Sequence, residues 1–172
     1  MQRVDSVLRT VPNFPKPGIM FKDITPLFKE PQLLSDVISY FAAVYRHQKP
    51  TAIVGIESRG FLFGVPLALE LNIPFVLARK SGKLPADTYS FSYDLEYGSA
   101  TLELHKDSIG RNDNVVIFDD LLATGGTAVA TAELVKQAGG SVLGYAFLIS
   151  LDFLNGRERL ADAPVNALLS YE

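Results

Sequence analysis

The clearest chemistry in the chain follows its most apolar segment. Val115–Phe118 is a continuous apolar run, and the residues after it are Asp119, Asp120, Leu121, Leu122, Ala123, Thr124, Gly125, Gly126 and Thr127. Adjacent glycines permit backbone conformations that turn successive N–H groups toward an anion, and the two threonines add hydroxyl donors. A helix that starts near Thr127 directs the positive end of its dipole to the same place. The pattern therefore predicts a phosphate-binding turn.

Two carboxylates stand directly before this turn, where they would repel a phosphate unless they contact another part of the ligand. Asp119 and Asp120 are suited to accept hydrogen bonds from the hydroxyls of a sugar phosphate, or to contact a Mg²⁺ that bridges to it. We therefore expect a sugar phosphate as ligand. The alternative is that the aspartates form a solvated helix-capping pair and the glycines a plain turn.

Composition limits the other possibilities. The net charge of −3 argues against broad binding of nucleic acid, so the basic residues that meet an anion must be clustered locally. The sequence has no cysteine, which excludes disulfides, thiolate metal sites and a cysteine nucleophile. We expect no membrane span and no signal peptide, and hence a cytoplasmic location. His47 and His105 match no catalytic motif, so we expect both to be surface or packing residues.

Alternating strands and helices should position the turn. Apolar runs predict buried strands at Thr51–Ile56, Pro74–Arg79, Val115–Phe118, Val142–Ser150 and Val165–Tyr171. Helical spacing predicts a helix from Pro31, one over Phe61–Leu71 and one over Thr127–Ala138 that Gly139 and Gly140 end. Continuous apolar strands that alternate with helices predict an α/β fold, with a mainly parallel sheet covered on both faces. Ligands of such sheets bind beyond the carboxyl ends of the strands.

Two segments differ from this pattern. Alternating aromatic and polar residues over 88–104 predict an antiparallel hairpin that projects from the parallel core. The first 30 residues include Pro12, Pro15, Pro17, Gly18 and Pro26, which predicts an extended arm folded over the body. We expect all 172 residues to form one domain, because no linker or repeat divides the chain.

Several segments resemble those of one protein family, and they occur in the same order along the chain. VVIFDDLLATGGTA at 115–128 is similar to the phosphoribosyl pyrophosphate motif of type I phosphoribosyltransferases. The other segments are FPKPGIMFKDITPLF at 14–28, ESRGFLFG at 57–64, RKSGKLP at 79–85, SYDLEYG at 92–98, and GRERL and YE near the C-terminus. They most resemble the members that act on adenine. The resemblance implies the type I fold with an N-terminal hood, and purine salvage from adenine and phosphoribosyl pyrophosphate to AMP and pyrophosphate.

The resemblance also implies roles for individual residues. Residues 123–127 would hold the 5′-phosphate, with Leu122 also contacting substrate, and the aspartate pair would hold the ribose hydroxyls. A turn at Ser58 and Arg59, often built with a cis peptide, would bind pyrophosphate. The basic cluster around it would comprise Arg79, Lys80 and Lys83. Ser81 stands where relatives often carry another basic residue.

Base recognition and catalysis are implied for two further regions. Phe21 would stack on adenine, the main chain at Met20 and Lys22 would hydrogen-bond with its edge, and Leu151 would close the other face. A catalytic loop over 83–97 would close over the substrates, with Tyr97 contacting them. Within it, Glu96 is either a general acid/base or an exposed hairpin carboxylate. Arg59, Asp119 and Asp120 complete the expected catalytic set.

The resemblance further implies a Mg²⁺ brought by pyrophosphate and a homodimer. Two alternatives stay open. The first is transfer to guanine or xanthine, since base preference depends on the main-chain geometry of the arm. The second is a non-catalytic regulator that binds nucleotides, although the chain has neither the added DNA-binding segment nor the basic face that we expect of one.

Overall fold

The protein is described by a computed structural model, which covers residues 2–94 and 98–172. Its seven-stranded main sheet has the order β5-β6-β4-β3-β7-β8-β9. The strands of this sheet are β3 (Ala52–Ile56), β4 (Phe75–Lys80), β5 (Thr88–Asp94), β6 (Ser99–His105), β7 (Asn114–Leu122), β8 (Ser141–Leu151) and β9 (Val165–Tyr171). The helices are α1 (Gln2–Val7), α2 (Pro31–Arg46), α3 (Arg59–Leu71) and α4 (Gly126–Gln137).

The parallel part of the sheet is covered on both faces, as predicted. Strands β4, β3, β7, β8 and β9 pair in parallel. Phe41 of α2 and Phe63 of α3 pack in one buried cluster with Phe118. Ala132 of α4 packs in the other cluster with Ile117. The sheet thus separates α2 and α3 from α4, and the predicted α/β class is confirmed.

The central strand is longer than its apolar run predicts. We expected it to end at Phe118, but β7 continues through both aspartates to Leu122 and stays paired with β8. The charged residues misled the prediction because charge is unusual in a buried strand. Pairing with β8 bonds the backbone of this stretch along one edge whatever its side chains are. Asp119 and Asp120 therefore belong to the sheet and not to the turn after it.

The predicted hairpin is present as β5 and β6, which pair over 88–94 and 99–105. It is attached to the parallel sheet by a short antiparallel contact, in which Arg79 and Lys80 of β4 pair with Glu103 and Leu102. The hairpin therefore extends one edge of the sheet. The middle of β6 lies beside the end of β4, at the predicted basic residues Arg79 and Lys80.

The N-terminal arm folds over the body, but it is more regular than its prolines suggest. Strand β1 (Arg9–Pro12) and strand β2 (Met20–Asp23) form a separate two-stranded sheet. A 3-10 turn over Thr25–Lys29 follows. Val4 of α1 and Leu27 of this turn are buried in the cluster that contains α2. The arm is thereby tied to the core at the open end of its ribbon, by the segments before β1 and after β2.

Two more 3-10 turns, Asp152–Leu154 and Gly156–Leu160, connect β8 to β9. Within the described ranges, none of the helices has the length and apolar character needed to cross a membrane.

Candidate active site

The predicted phosphate turn connects β7 to α4 at the carboxyl edge of the sheet. Gly125 has a φ of +81°, in the left-handed region that favours glycine, and α4 begins at the next residue. The turn encloses a small cavity of about 70 Å³. Its lining includes Leu122, Ala123, Thr124, Gly125, Gly126 and Thr127, as well as Asp119. This cavity lies at a helix N-terminus, where backbone N–H groups and the dipole favour an anion.

The aspartate pair divides between the two faces of the sheet, since successive strand residues point to opposite sides. Asp120 lies two residues after Phe118 and faces α3, where the Nε of Arg59 is 3.0 Å from its Oδ2. The Oδ1 of Asp119 accepts a hydrogen bond of 2.9 Å from the backbone N–H of Asp120. Both carboxylates still reach one cavity of about 310 Å³ beside the turn.

Both carboxylates are held in a poorly solvated place. Burial raises the pKa of Asp119 well above its usual value, and the neighbouring charge of Asp120 raises it further. Burial also raises the pKa of Asp120, although the Arg59 guanidinium opposes that shift. Their negative charge is therefore costly until a ligand meets it.

One carboxylate oxygen of Asp120 lacks a hydrogen-bond partner among the described residues. The residue Asp120 is only 3% exposed, and its Oδ2 has no hydrogen-bond partner within the described residues. The N–H of Arg59 approaches this oxygen closely enough for an ion pair, but its direction does not make a hydrogen bond. A buried acceptor left this way is destabilising, so it is suited to a ligand group that completes it.

The predicted pyrophosphate turn follows β3. A cis peptide joins Glu57 to Ser58, one bond before the position that we expected for the turn. Helix α3 then starts at Arg59 and packs closely on the central strand. The approach is so close that a Cβ on Gly60 would lie 2.5 Å from the carbonyl oxygen of Phe118. This contact holds the start of α3 against β7.

The turn and the aspartate pair share the cavity of about 310 Å³. Its lining includes Ser58, Arg59, Lys80, Asp119, Asp120, Thr127 and Tyr93. The structure therefore brings together predicted residues from the ends of β3, β4 and β7.

Two of the expected basic residues do not line this cavity. The Nε of Arg79 is 3.3 Å from the Oε2 of Glu57, and its Nη1 donates to the carbonyl oxygen of Lys83 at 3.3 Å. The same Glu57 oxygen accepts the backbone N–H of Lys80 at 2.8 Å. Arg79 therefore braces the end of β3 against β4, and the side chain of Lys83 is exposed.

Electrostatics agrees with a bracing role for Glu57. Burial alone would raise the pKa of this carboxyl, but the Lys80 N–H and the Arg79 side chain outweigh it and the pKa is lowered. Glu57 is thus charged at neutral pH. It fixes the backbone from which Ser58 and Lys80 extend into the cavity.

Three of the expected base-binding residues lie on β2 of the arm with side chains on both of its faces, and the fourth, Leu151, ends β8. Met20, Lys22 and Leu151 line one cavity of about 460 Å³, together with Phe153 and Tyr171. The side chain of Phe21 is not among the residues that line this cavity. Its ring lies 5.6 Å from the Arg59 guanidinium carbon and 5.1 Å from the ring of Phe14. Phe21 therefore connects the arm to the start of α3.

Contacts hold the arm in this position. The Nζ of Lys22 is 3.0 Å from the Oγ1 of Thr10 and 4.0 Å from the centre of the Tyr171 ring. The hydroxyl of Tyr171 donates to Asp5. Residues near both ends of the chain thus meet at the base-binding strand.

Two predicted site residues remain to be located, and the site also contains residues that were not predicted. Glu96 and Tyr97 lie outside the described residues. Two residues of the site were not predicted: Tyr93, whose hydroxyl is 3.3 Å from the Oγ1 of Thr127, and Glu57 with its bracing role. Alternation along the hairpin could have indicated that Tyr93 faces the body, and opposite charges at the ends of two parallel strands could have indicated the pairing of Glu57 with Arg79.

No group of three or more histidine or acidic side chains within 2–94 and 98–172 is arranged to hold a metal ion by itself.

Comparisons with known proteins agree with this geometry. A family model described as the phosphoribosyl transferase domain matches residues 23–165. The adenine phosphoribosyltransferase of Nitrosococcus oceani is 53% identical over 171 residues, which cover 99% of this chain and 100% of the relative. A crystal structure of the Thermoanaerobacter pseudethanolicus adenine phosphoribosyltransferase has a TM-score of 0.96 and 46% identity, and covers 99% of both chains.

A further solved structure contains ligands. The Saccharomyces cerevisiae adenine phosphoribosyltransferase, complexed with an imino-altritol bisphosphate and adenine, has a TM-score of 0.94 and 45% identity, and covers 97% of both chains. The predicted resemblance is therefore confirmed. The chain belongs to the phosphoribosyltransferase family and, within it, to the adenine phosphoribosyltransferases.

Proposed function

We propose that the glycine turn after β7 holds the 5′-phosphate of phosphoribosyl pyrophosphate while adenine displaces pyrophosphate from C1 of the ribose. The family gives the overall reaction, which is the conversion of adenine and phosphoribosyl pyrophosphate to AMP and pyrophosphate in purine salvage. The main support for the residue assignment is that the turn, the aspartate pair and Arg59 border adjoining cavities at one edge of the sheet.

The phosphate end of the ligand is assigned to residues 123–127. Gly125 gives the turn its left-handed backbone, and the first turn of α4 offers N–H groups that have no partner inside the helix. The hydroxyls of Thr124 and Thr127 add donors without charge. Next to them, Asp119 and Asp120 would accept hydrogen bonds from the ribose hydroxyls. The turn and the carboxylates would thus contact different parts of one ligand. The carboxylates would therefore not have to repel the phosphate that the turn binds.

Pyrophosphate is assigned to the larger cavity. Arg59 is a planar cation suited to phosphate oxygens, and Lys80 supplies a second charge from the end of β4. The backbone at Ser58 adds donors. Arg79 and Lys83 do not line this cavity, so both would act indirectly. Arg79 would act by bracing Glu57, and Lys83 would act through the expected loop over 83–97.

The donors at this cavity fit a Mg²⁺ that arrives with pyrophosphate. The Oδ2 of Asp120 is a buried oxygen without a hydrogen-bond partner in the described residues, and Asp119 borders the same cavity. Mg²⁺ commonly takes one or two carboxylates along with substrate phosphates and water. Asp119 and Asp120 would hold it directly or through water. When bound, the ion neutralises charge on the leaving pyrophosphate.

Adenine is assigned to the arm. Strand β2 pairs with β1 along one edge, and no other strand of the described chain pairs with its second edge. N–H and C=O groups at Met20 and Lys22 are therefore suited to the amine and ring nitrogen of adenine. Guanine would place an oxo group there and leave buried polar groups unpaired. The Phe21 and Leu151 side chains would close the two faces of the base.

The transfer breaks the bond from C1 to the pyrophosphate oxygen and forms a bond from C1 to an adenine nitrogen, which then loses its proton. Positive charge grows on the ribose in the transition state, as in glycoside hydrolysis. The aspartate pair would stabilise that charge, while Arg59 meets the negative charge on the leaving group. Holding the base in line supplies on the order of 7 to 11 kcal/mol of the barrier. Glu96 remains our candidate to accept the adenine proton.

The assignment is tested by pyrophosphate release with Mg²⁺, phosphoribosyl pyrophosphate and each purine base in turn. We expect turnover with adenine, and loss of turnover on addition of EDTA. Turnover with guanine but not adenine would overturn the assignment of the arm. Absence of turnover with every base would favour a nucleotide-binding regulator.

We also propose that the enzyme is a homodimer that pairs through α3. Leu62, Val65 and Leu69 recur on one face of this helix and are 48%, 41% and 75% exposed. Leu77 of β4 is exposed as well. Apolar residues in this number on one surface indicate an interface, and a two-fold dimer buries the same patch of both copies.

The highly charged substrate does not cross a bilayer unaided, which supports a cytoplasmic location.

Light scattering after size-exclusion chromatography tests the dimer. Leu69→Asp should shift the mass toward a monomer, because it places a charge in the proposed interface. Ala161→Asp adds the same charge at an exposed position elsewhere and should not. A wild-type protein that runs as a monomer at all concentrations would contradict the proposal.

A further inference from the structure

The phosphate turn is supported from behind by the backbone of Gly156. A Cβ placed on Gly156 would lie 2.1 Å from the carbonyl oxygen of Ala123 and 3.1 Å from the backbone nitrogen of Gly125. The contact is mutual, since a Cβ on Gly125 would lie 2.8 Å from the carbonyl oxygen of Gly156. Two backbones therefore touch here with no side chain between them.

A hydrogen bond reinforces this contact. Gly156 opens the 3-10 turn Gly156–Leu160, and Arg159 in that turn donates from Nη1 to the carbonyl oxygen of Thr124 at 3.3 Å. The donor meets the turn at the residue next to Gly125. Because the bond uses a carbonyl oxygen, it leaves the N–H groups of the turn free to face the cavity.

The turn that makes these contacts is itself held firmly. The Nε of Arg157 is 3.0 Å from the Oδ1 of Asp152, and its Nη1 and Nη2 donate to the carbonyl oxygen of Val165 and the hydroxyl of Ser170 at 3.2 Å. Leu160 at the other end of the turn is buried. The 156–160 turn is thus a fixed support attached to β9.

We propose that Gly156 and Arg159 are positioning residues for the 5′-phosphate site: they set the height of the 123–126 backbone against the ribose phosphate. This inference rests on the proposed phosphate binding by that turn. A methyl group at 156 must push Ala123 and Gly125 away from the support and toward the cavity. The turn binds through backbone N–H groups, so its displacement weakens binding without the loss of any ligand-contacting side chain.

The predicted signature is selective for one substrate. A displacement of about 1 Å at a reacting site can cost on the order of 100-fold, so Gly156→Ala should raise the KM for phosphoribosyl pyrophosphate by about 10-fold or more. Arg159 is exposed and contributes one hydrogen bond, so Arg159→Ala should raise it by about 3-fold. In both variants the KM for adenine should stay within about 2-fold, since the arm is untouched.

Gly140→Ala is the matched control. Its Cβ would also be crowded, at 2.6 Å from Cγ2 of Ile109, but this contact lies in the packing of α4 against the loop before β7 and away from the turn. We expect a lower Tm and an unchanged ratio of the two KM values. Calorimetric titration with AMP gives a second readout, in which Gly156→Ala and Arg159→Ala bind more weakly and Gly140→Ala does not.

Several outcomes would overturn the inference. The first is a folded Gly156→Ala variant with an unchanged KM for phosphoribosyl pyrophosphate. The second is an equal rise of both KM values. If Gly156→Ala does not fold, Arg159→Ala decides, and an unchanged KM there overturns it. The double variant Thr124→Ala, Thr127→Ala separates the two proposals. If its KM for phosphoribosyl pyrophosphate rises while that of the Gly156 and Arg159 variants does not, this inference alone is overturned. If the KM rises in neither set, the assignment of the phosphate to the turn is overturned.

Discussion

The phosphate end and the arm of this enzyme are built in opposite ways. The phosphate turn continues the central strand β7, is supported by backbone contact with Gly156, and would bind mainly through N–H groups. The arm is a separate two-stranded ribbon at the edge of the molecule, and Met20, the residue at its tip, is 59% exposed. Under the proposed assignment, the group shared by all ribose phosphates would bind a turn that continues the central strand, while the base would bind a separate ribbon.

This difference teaches how one fold can keep its chemistry and change its base. The phosphate turn continues β7 and touches the backbone of Gly156, so a change there disturbs the sheet. The ribbon is held by a few side-chain contacts, such as those of Lys22 with Thr10 and with the Tyr171 ring. Changes in the ribbon should therefore alter base affinity with little effect on the body.

The largest effect should come from the aspartate pair. Asp119→Asn and Asp120→Asn each remove a charge that would stabilise the ribose cation, so we expect kcat/KM to fall by on the order of 100-fold. Steady-state kinetics with both substrates measures it. Asp36→Asn on the exposed side of α2 makes the same change away from the site and should be neutral. Wild-type activity in both variants would contradict the roles assigned to the pair.

A change in the arm should separate the two substrates. Phe21→Ala removes the ring proposed to stack on adenine, and we expect the KM for adenine to rise by about 10-fold. The KM for phosphoribosyl pyrophosphate in the same variant is the internal control and should stay within about 2-fold. Equal changes in both constants would show that Phe21 acts through Arg59, 5.6 Å away, and that the two regions are not independent.

A smaller effect should follow from the link between the chain ends. Tyr171→Phe removes the hydroxyl that donates to Asp5 but keeps the ring beneath Lys22. One lost hydrogen bond should raise the dissociation constant of adenine by about 2- to 3-fold. Isothermal titration with adenine measures the change. Tyr171→Ala, which also removes the ring, should have the larger effect; the reverse order would be inconsistent with support of Lys22 by the ring.

The smallest effect is on stability, and its sign is opposite to that on activity. Burial raises the pKa of Asp119 in the folded protein well above the ordinary value of 3.8 for an aspartate. A raised pKa means that stability is fully present below about pH 4 and is lost as the pH rises through the folded pKa. Asp119→Asn should therefore raise Tm by a few degrees at pH 7.5 and leave it unchanged at pH 3.5. Scanning calorimetry at both pH values tests this; a lower Tm at pH 7.5 would contradict it.

The sequence predicted the parallel core and the glycine turn after β7 well because local signals and global packing agree there. The run Val115–Phe118 is apolar wherever it lies, and the paired glycines need a turn. The length of β7 was missed because pairing with β8 overrides the polarity of Asp119 and Asp120. This is a contact between segments about 30 residues apart, and no local pattern shows it.

The rest of the site depends on contacts between distant segments. The pairing of Arg79 with Glu57 requires β3 and β4 to be neighbours, and it gives a residue that we expected to contact substrate a bracing contact that the sequence did not predict. The position of Phe21 beside Arg59 requires the arm to cross the start of α3. Sequence patterns identified these residues through the family, but only the fold shows which partner each one takes.

The continuity of the phosphate turn with β7 has a thermodynamic consequence. This strand lies in the middle of the sheet, between β3 and β8, so its amide hydrogens should exchange with solvent only when the domain opens as a whole. A nucleotide that binds the turn is then a ligand of the native state alone, and each tenfold excess over its dissociation constant adds about 1.4 kcal/mol to global stability. The cellular level of AMP would set the lifetime of the enzyme as well as its occupancy.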